Sequence, residues 1–316
     1  MAVASGERRA RFTHHEHQLG EWMRARRAPD RRLSGLLVRE LLAYRHSRAE
    51  FDTWLEPPRP ELTLMIDFEG ALRADGEPLP GAWIGGLSET YTIVGFGDTY
   101  GAIDLKLHPL GAYTLLGLPL SELTGRCVAL SDVFGRSGAA LPDRLRDLPS
   151  WDARFDAVED FLTARMASGP RPDPAVLSAW RRLSETAGSV RVEALAAELG
   201  CSRRYLQSKF RDQVGMAPKA VARQLRFADV CRRIEQTPRR WSEIAFAAGY
   251  ADQSHLNREF REFAGTTPTE FVARRIPGGG LVGDGCDPGR PRSQSSKTRE
   301  RVGAMLAPYT DPLPAR

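Results

Sequence analysis

A pattern of apolar residues and glycines occurs twice within residues 190–272, and it constrains the fold more than any other feature. The copies are offset by 49 residues up to a glycine and by 50 residues after it. A pattern with only two copies indicates a duplicated unit rather than a solenoid, which needs about three or more repeats. The matching residues are Leu195-Ala196, Gly200, Leu206, Phe210, Gly215 and Pro218 in the first copy, and Ile244-Ala245, Gly249, Leu256, Phe260, Gly265 and Pro268 in the second.

Each copy predicts a helix, a tight turn and a second helix. Apolar residues recur at helical spacing before the turn, and a glycine that can adopt positive φ follows them, Gly200 in the first copy and Gly249 in the second. Ser202 and Asp252 then stand where side chains cap a helix. We therefore expect two helix-turn-helix units.

The outward stripe of the second helix in each copy carries side chains that can bond to DNA bases. Arginine recognises guanine, asparagine and glutamine recognise adenine, and serine bonds to several bases. Such groups on the helix after a tight turn are typical of a DNA recognition helix, although two solvated faces of a small helical bundle would show the same stripes. We predict DNA contacts from Ser202, Arg203, Arg204, Gln207, Ser208, Arg211, Gln253, Ser254, His255, Asn257, Arg258 and Arg261.

The segment between the copies predicts one long helix over 218–236, opened by Pro218. Its 19 residues would span about 28 Å at 1.5 Å per residue. Successive major-groove faces on one side of a duplex lie about 34 Å apart. One rigid helix could therefore hold two recognition helices in successive major grooves.

The second copy resembles the AraC/XylS family of bacterial transcription regulators. The resemblance rests on the residues of 244–250 (IAFAAGY), 252–256 (DQSHL), 258–260 (REF) and 265–268 (GTTP). The first copy is more divergent. The resemblance implies that residues 202–212 and 253–263 are the recognition helices, and it identifies no regulatory signal.

The 316 residues are enough for two domains. The apolar segment 62–68 and the alternating segment 102–107 predict strands, whereas leucine spacing over 33–44 is helix-like. Residues 107–112 (LHPLGA) and 130–135 (LSDVFG) resemble the N-terminal domain of actinobacterial AraC-type regulators. We predict an α+β protein with five segments: a disordered tail (1–32), a β-rich sensory or dimerisation domain (33–168), a linker with a lead-in helix (169–189), an all-α AraC-type domain of two helix-turn-helix units joined by a long helix (190–276), and a disordered tail (277–316).

The two predicted domains differ in net charge. Residues 191–275 contain 16 Lys and Arg against 10 Asp and Glu, and residues 33–190 contain 15 against 22. A basic module attached to an acidic one fits a DNA-binding domain joined to a domain that does not touch DNA.

Several other classes of protein are disfavoured. No segment approaches the roughly 18 apolar residues of a membrane helix, the N-terminus lacks a signal-peptide pattern, and the four cysteines form no CxxC motif, so we expect a cytoplasmic protein. The glycines of residues 81–101 form no nucleotide-binding motif. Only His46 and His108 lie within 33–190, too few for a clustered metal site. We predict no catalytic residues, no metal and no cofactor, and hence no enzyme.

These features predict a sequence-specific DNA-binding transcription regulator whose N-terminal domain responds to an effector. The expected partner is double-stranded operator DNA. RNA polymerase, a small-molecule effector and a second copy of the chain are candidate partners, and a membrane is not. One alternative is an N-terminal ligand-binding or enzymatic domain with accessory DNA binding; another is a nucleoid protein without sequence preference. Aromatic residues that could line an effector pocket, or simply serve as core and surface residues, are Trp83, Tyr91, Phe96, Tyr100 and Tyr113.

Overall fold

A computed structural model describes residues 8–17, 20–47, 53–97, 99–236, 240–274 and 281–282. The strands are β1 (Arg11–His17), β2 (Gly20–Arg27), β3 (Leu41–Ser47), β4 (Thr53–Glu56), β5 (Leu62–Glu69), β6 (Arg73–Ala74), β7 (Glu77–Pro78), β8 (Ala82–Gly85), β9 (Thr92–Gly95), β10 (Thr99–Leu107), β11 (Cys127–Ala129) and β12 (Leu281–Val282). The α-helices are α1 (Pro109–Leu116), α2 (Leu130–Phe134), α3 (Arg136–Ala139), α4 (Leu141–Asp147), α5 (Trp151–Met166), α6 (Pro174–Glu185), α7 (Val192–Glu198), α8 (Arg203–Val214), α9 (Pro218–Gln236), α10 (Trp241–Ala247), α11 (Gln253–Ala264) and α12 (Pro268–Ala273).

The strands of the described residues form two antiparallel sheets. The larger has the order β1-β2-β3-β10-β5-β8-β11, and the smaller has the order β12-β4-β9-β6-β7. Strand β10 shows how the larger sheet is buried on both faces. Ile103 and Leu105 belong to the core shared with the helices, whereas Tyr100 and Ala102 belong to a core that faces the smaller sheet, as the alternation of side chains along a strand requires. This β-rich region followed by a helical region confirms the predicted fold class.

Two strand predictions are confirmed and one helix prediction is wrong. Strand β5 covers the predicted segment 62–68, and β10 covers 102–107. The helix-like segment 33–44 instead begins at the last residue of a 3₁₀ turn, Arg31–Leu33, and ends within β3. Leu36 and Leu41 are both fully buried, and a short apolar run of this kind does not distinguish a buried helix from a buried strand.

The N-terminal segment differs from its prediction as a disordered tail over 1–32. Residues 1–7 lie outside the described part, but β1 and β2 pair with each other and β2 pairs with β3. Arg27 is 3% exposed and donates to Glu159 on α5 at 2.8 Å. Arg8 donates to the same carboxylate at 2.7 Å, and the backbone N–H of Asp30 does so at 2.6 Å. These ion pairs and the β ladder fix a segment whose composition alone indicates disorder.

The predicted disordered tail over 277–316 lies outside the described residues except for Leu281–Val282. These two residues form β12, which pairs with β4. At the other predicted boundary, the segment 169–189 contains α6, and the side chain of Asp173 caps its start by accepting from Ala175 N. The backbone N–H of Asp173 donates to Gln213 on α8 at 2.8 Å, so this connection is held against the first helix-turn-helix unit.

The two helix-turn-helix units belong to different hydrophobic cores. One core continues from the β-domain through α6 into α7 and α8, and includes Trp180 and Phe210. A separate core surrounds α10 and α11 and takes in Leu55 from β4. No helix among the described residues is long and apolar enough to cross a membrane.

Candidate DNA-binding surface and N-terminal cavity

The first helix-turn-helix unit consists of α7, a turn at Gly200 and α8. Gly200 has φ +64°, a conformation that glycine adopts without steric cost. The hydroxyl of Ser202 accepts from Tyr205 N at 3.1 Å and caps α8. Leu206 and Phe210 are fully buried on the inner side of α8. The polar residues between them therefore lie on the outer side of the helix.

The second unit repeats this geometry with α10, Gly249 and α11. Gly249 has φ +78°, and the carboxylate of Asp252 accepts from His255 N at 2.7 Å. Leu256 and Phe260 are fully buried. Helix α9 joins the two units over the segment that the sequence predicts as one helix.

The predicted DNA-contacting residues lie on the accessible sides of α8 and α11. Within the described part of the chain, Arg204, Arg258 and Arg261 make no ion pair, whereas Arg203 pairs with Glu193 on α7 at 3.0 Å. The ring of His255 packs edge-on against Tyr250 at 5.2 Å, which restricts its orientation. Exposed are Ser202, Arg203, Arg204, Ser208, Arg211, Gln253, Ser254, Arg258 and Arg261, and half-buried are Gln207, His255 and Asn257.

Two exposed aromatic residues of the helix-turn-helix units are not in the predicted set. Tyr205 is 42% exposed, and its hydroxyl donates to Asp173 at 2.6 Å, which ties α8 to the start of α6. Phe246 on α10 is 85% exposed. Both are apolar residues within amphipathic helices, so their type suggested core positions; only their place on the helix face could have indicated exposure.

The β-domain contacts the second unit through the loop between β8 and β9, residues 86–91. The carbonyl of Ser88 accepts from Gln224 on α9, a side chain that is fully buried. The hydroxyl of Thr90 donates to Glu262 O on α11 at 3.3 Å. The ring of Tyr91 lies so close to Gly265 that a Cβ there would stand 2.8 Å from the ring. This loop, which we call the contact loop, holds α9 and the end of α11.

A cavity of about 290 Å³ lies between the two sheets of the β-domain. The larger sheet contributes Tyr44 and Trp83, and the smaller sheet contributes Trp54. Ser88 and Thr90 of the contact loop also line it. The cavity and the contact with the DNA-binding units therefore share one loop.

Two buried titratable groups lie at one end of the large sheet. Burial lowers the pKa of His46 to about 4, so its ring is neutral at pH 7. Burial raises the pKa of Asp67 to about 7 even though its carboxylate accepts from the hydroxyl of Tyr100 at 2.5 Å. His46 lines the cavity, whereas Asp67 and Tyr100 do not. Within the described residues, no group of three or more His, Cys, Asp and Glu is placed to hold a metal ion.

The five predicted pocket aromatics are divided among different places. Trp83 lines the cavity. Tyr91 lies in the contact loop, Phe96 and Tyr100 are buried beside the cavity in the same core as Trp83, and Tyr113 is on α1 against the main core. The cavity instead draws its other aromatic rings from Tyr44 and Trp54.

Two capped helix-turn-helix units joined by one helix define a DNA-binding domain. Residues 195–274 match the family model described as "Helix-turn-helix domain". The AraC-type resemblance is confirmed: these residues form an AraC-type helix-turn-helix domain.

The curated relatives share this part of the chain. The probable bifunctional transcriptional activator/DNA repair enzyme AlkA of Mycobacterium tuberculosis is 31% identical over 133 residues, which are 42% of this chain and 23% of AlkA. The HTH-type transcriptional regulator MtrA of Neisseria gonorrhoeae is 24% identical over 80 residues, which are 25% of this chain and 27% of MtrA. The chain thus spans about a quarter of the length of each of these relatives.

The solved structures that match this chain are less similar in sequence. ToxT from Vibrio cholerae is 13% identical, with a TM-score of 0.42, over 73% of this chain and 95% of that chain. The C-terminal domain of AraT, a response regulator from Geobacillus stearothermophilus, is 21% identical, with a TM-score of 0.32, over 34% of this chain and 91% of that chain.

Proposed function

We propose that this protein is a sequence-specific transcription regulator that inserts α8 and α11 into successive major grooves of its operator. The observation that supports it is the division of both helices: the inner residues are fully buried, and the side chains that can bond to bases remain accessible. Arginine contacts to phosphate supply salt-dependent affinity and register. Contacts from Arg204, Gln207, Asn257 and Arg258 to base edges supply specificity.

Selection of bound sequences from random duplexes, with the full chain at physiological salt, tests this proposal. We expect two short conserved blocks about one helical turn, or 10–10.5 base pairs, apart. Retention of DNA without enrichment would support the nucleoid-protein alternative instead. No retention even at low salt would exclude DNA binding.

Arg258→Ala is expected to reduce discrimination at one base position of the second block by about 1–3 kcal/mol while leaving the fold intact. The reason is that Arg258 is exposed and makes no ion pair with the described residues, so its removal disturbs nothing within the protein. Arg181→Ala is the matched control, because Arg181 is also exposed but lies on α6. Competition binding against single-base operator variants measures the effect. Unchanged affinity for operator and random DNA would exclude base contact by Arg258.

We further infer that a small-molecule effector occupies the cavity and changes DNA binding through the contact loop. The support is geometric, since Ser88 and Thr90 line the cavity and also bond to α9 and α11. We place this action on operator DNA in the cytoplasm. RNA polymerase and a second copy of the chain are further candidate partners. The protein itself is not an enzyme in this proposal.

Tyr91→Ala is expected to speed amide hydrogen exchange in α11 and to leave α8 unchanged. Tyr91 packs against the core of the second unit, and loss of buried contacts lowers the free energy of local opening. Tyr113→Ala is the mirrored control, because Tyr113 belongs to the main core and interacts with Gln213 of α8; it should affect α8 and spare α11. Equal amide protection of α11 in Tyr91→Ala and in the wild type would contradict the proposal that the contact loop couples the cavity to α11.

A further inference from the structure

The wall of the cavity is mainly apolar and aromatic. Ligand pockets usually combine such a wall with a few placed polar groups and measure about 300–1,000 Å³, so this cavity of about 290 Å³ is suited to a small molecule. Aromatic rings favour stacked or edge-on contact with another ring. The apolar wall is formed by Tyr44, Trp54, Met65, Leu72, Leu79 and Trp83.

The charges in the lining are paired with one another. Arg39 pairs with Glu61 at 3.1 Å, Arg59 pairs with Glu56 at 3.2 Å, and Lys106 pairs with Asp104 at 3.1 Å. A further lining acid, Glu40, pairs with Arg11. An anionic ligand that binds to Arg39, Arg59 or Lys106 would have to break an existing ion pair, which selects against it.

Two buried polar side chains of the lining have no hydrogen-bond partner among the described residues for any polar atom, and one carboxylate oxygen each of Glu61 and Asp104 also lacks one. Neither ring nitrogen of His46 has one, and neither has Nε1 of Trp83; these side chains are 3% and 8% exposed. An unsatisfied buried polar group costs about 1–3 kcal/mol, so a ligand gains affinity when these side chains turn their nitrogens, which are covered in the structure, towards it. The indole N–H only donates, whereas a neutral imidazole has one donor and one acceptor. A ligand hydroxyl or carbonyl oxygen complements these groups.

We propose that the cavity binds a small, uncharged aromatic molecule that bears a hydroxyl or carbonyl oxygen, with Trp83 and His46 bonding to that oxygen. This ligand class rests on the proposed function, in which the N-terminal domain is the effector-binding domain. Specificity follows from the two features above: the paired charges disfavour anions, and the unpartnered nitrogens favour a ring with an oxygen over a hydrocarbon.

Two probes with the same ring system test the charge preference. Isothermal titration of the full chain at pH 7 compares 2-naphthol, whose phenolic hydroxyl stays protonated, with 2-naphthalenesulfonate, which is an anion. We expect at least tenfold tighter binding of 2-naphthol. Equal or tighter binding of the sulfonate, or no binding of either probe, would overturn the proposal.

Trp83→Phe and His46→Phe test the hydrogen bonds, since each keeps a flat ring and removes the polar atoms. Each variant should bind 2-naphthol about fivefold more weakly, the loss of affinity that corresponds to about 1 kcal/mol. Trp241→Phe is the control, because Trp241 packs against the core of the second unit rather than the cavity. The affinity of this variant for 2-naphthol should match that of the wild type. Unchanged affinity in both cavity variants, with near-native circular dichroism, would overturn the assigned contacts.

Operator binding by the same preparation separates this proposal from the function on which it rests. Gel-shift titration without a probe reports on DNA recognition alone. If 2-naphthol binds with the expected preference and operator affinity does not respond to it, the ligand class is supported and the effector role fails. If the operator is bound and the sulfonate is preferred, the ligand class fails and DNA recognition is unaffected.

Discussion

Phe260→Ala is expected to destabilise the second helix-turn-helix unit by about 3–5 kcal/mol, the usual cost of truncating a buried phenylalanine. Phe260 is fully buried, and its ring packs against Phe227 at 4.9 Å and Phe271 at 5.2 Å. The cavity left behind would separate α11 from α9 and α12. Urea denaturation followed by circular dichroism should show an early helical transition, and the second block of the operator should no longer be selected.

Phe246→Ala is the control for this change. It removes the same side chain from the same unit, but Phe246 is 85% exposed, and substitutions at such sites usually stay within about 0.5 kcal/mol. If both variants lose the same stability, the assignment of Phe260 to the core of α11 fails.

Glu159→Ala is expected to lower the free energy of unfolding by about 3 kcal/mol, because it removes the buried partner of Arg27 and leaves the guanidinium only the more exposed Asp156 at 2.8 Å and Asp152 at 3.5 Å. The side chains of Arg27 and Glu159 are each 3% exposed. The carboxylate also accepts from Arg8 and from the backbone N–H of Asp30, so the variant should release the N-terminal strands as well. Thermal unfolding measures the first effect, and limited proteolysis within β1 and β2 measures the second.

The matched control is Asp160→Ala, the next residue of α5, which is exposed. It removes a carboxylate of the same helix without uncovering a buried cation and should leave stability within about 0.5 kcal/mol. Loss of stability in Asp160→Ala equal to that in Glu159→Ala would point to the net charge of α5 rather than to the buried ion pair.

The helix-turn-helix units were predictable from sequence because their determinants are local. The turn at Gly249, the cap at Asp252 and the spacing of Leu256 and Phe260 all lie within one short segment, and each is a short-range property of the chain. The residues expected to contact DNA followed from the same periodicity. Their roles in base recognition stay a prediction until an operator is known.

The N-terminal region was less predictable because its elements depend on distant partners. Strand β2 has an Arg-rich sequence that indicates disorder, and its ladders with β1 and β3 and the ion pairs of Arg27 with α5 stabilise it. The cavity has the same origin, since Tyr44, Trp54 and Trp83 come from three strands in two sheets. Of these rings, sequence alone indicated Trp83, and no local pattern relates it to the others.

The division of the two helix-turn-helix units between separate cores also affects how the chain folds as it leaves the ribosome. Domains fold largely from the N-terminus as they are synthesised, and helix α8 would find the core of the β-domain already assembled when Phe210 emerges. The second unit is made after the first and closes mainly on its own residues. The edge of β4 stays open until Leu281–Val282 pairs with it, so a nascent chain exposes one short strand edge until those two residues have left the ribosome.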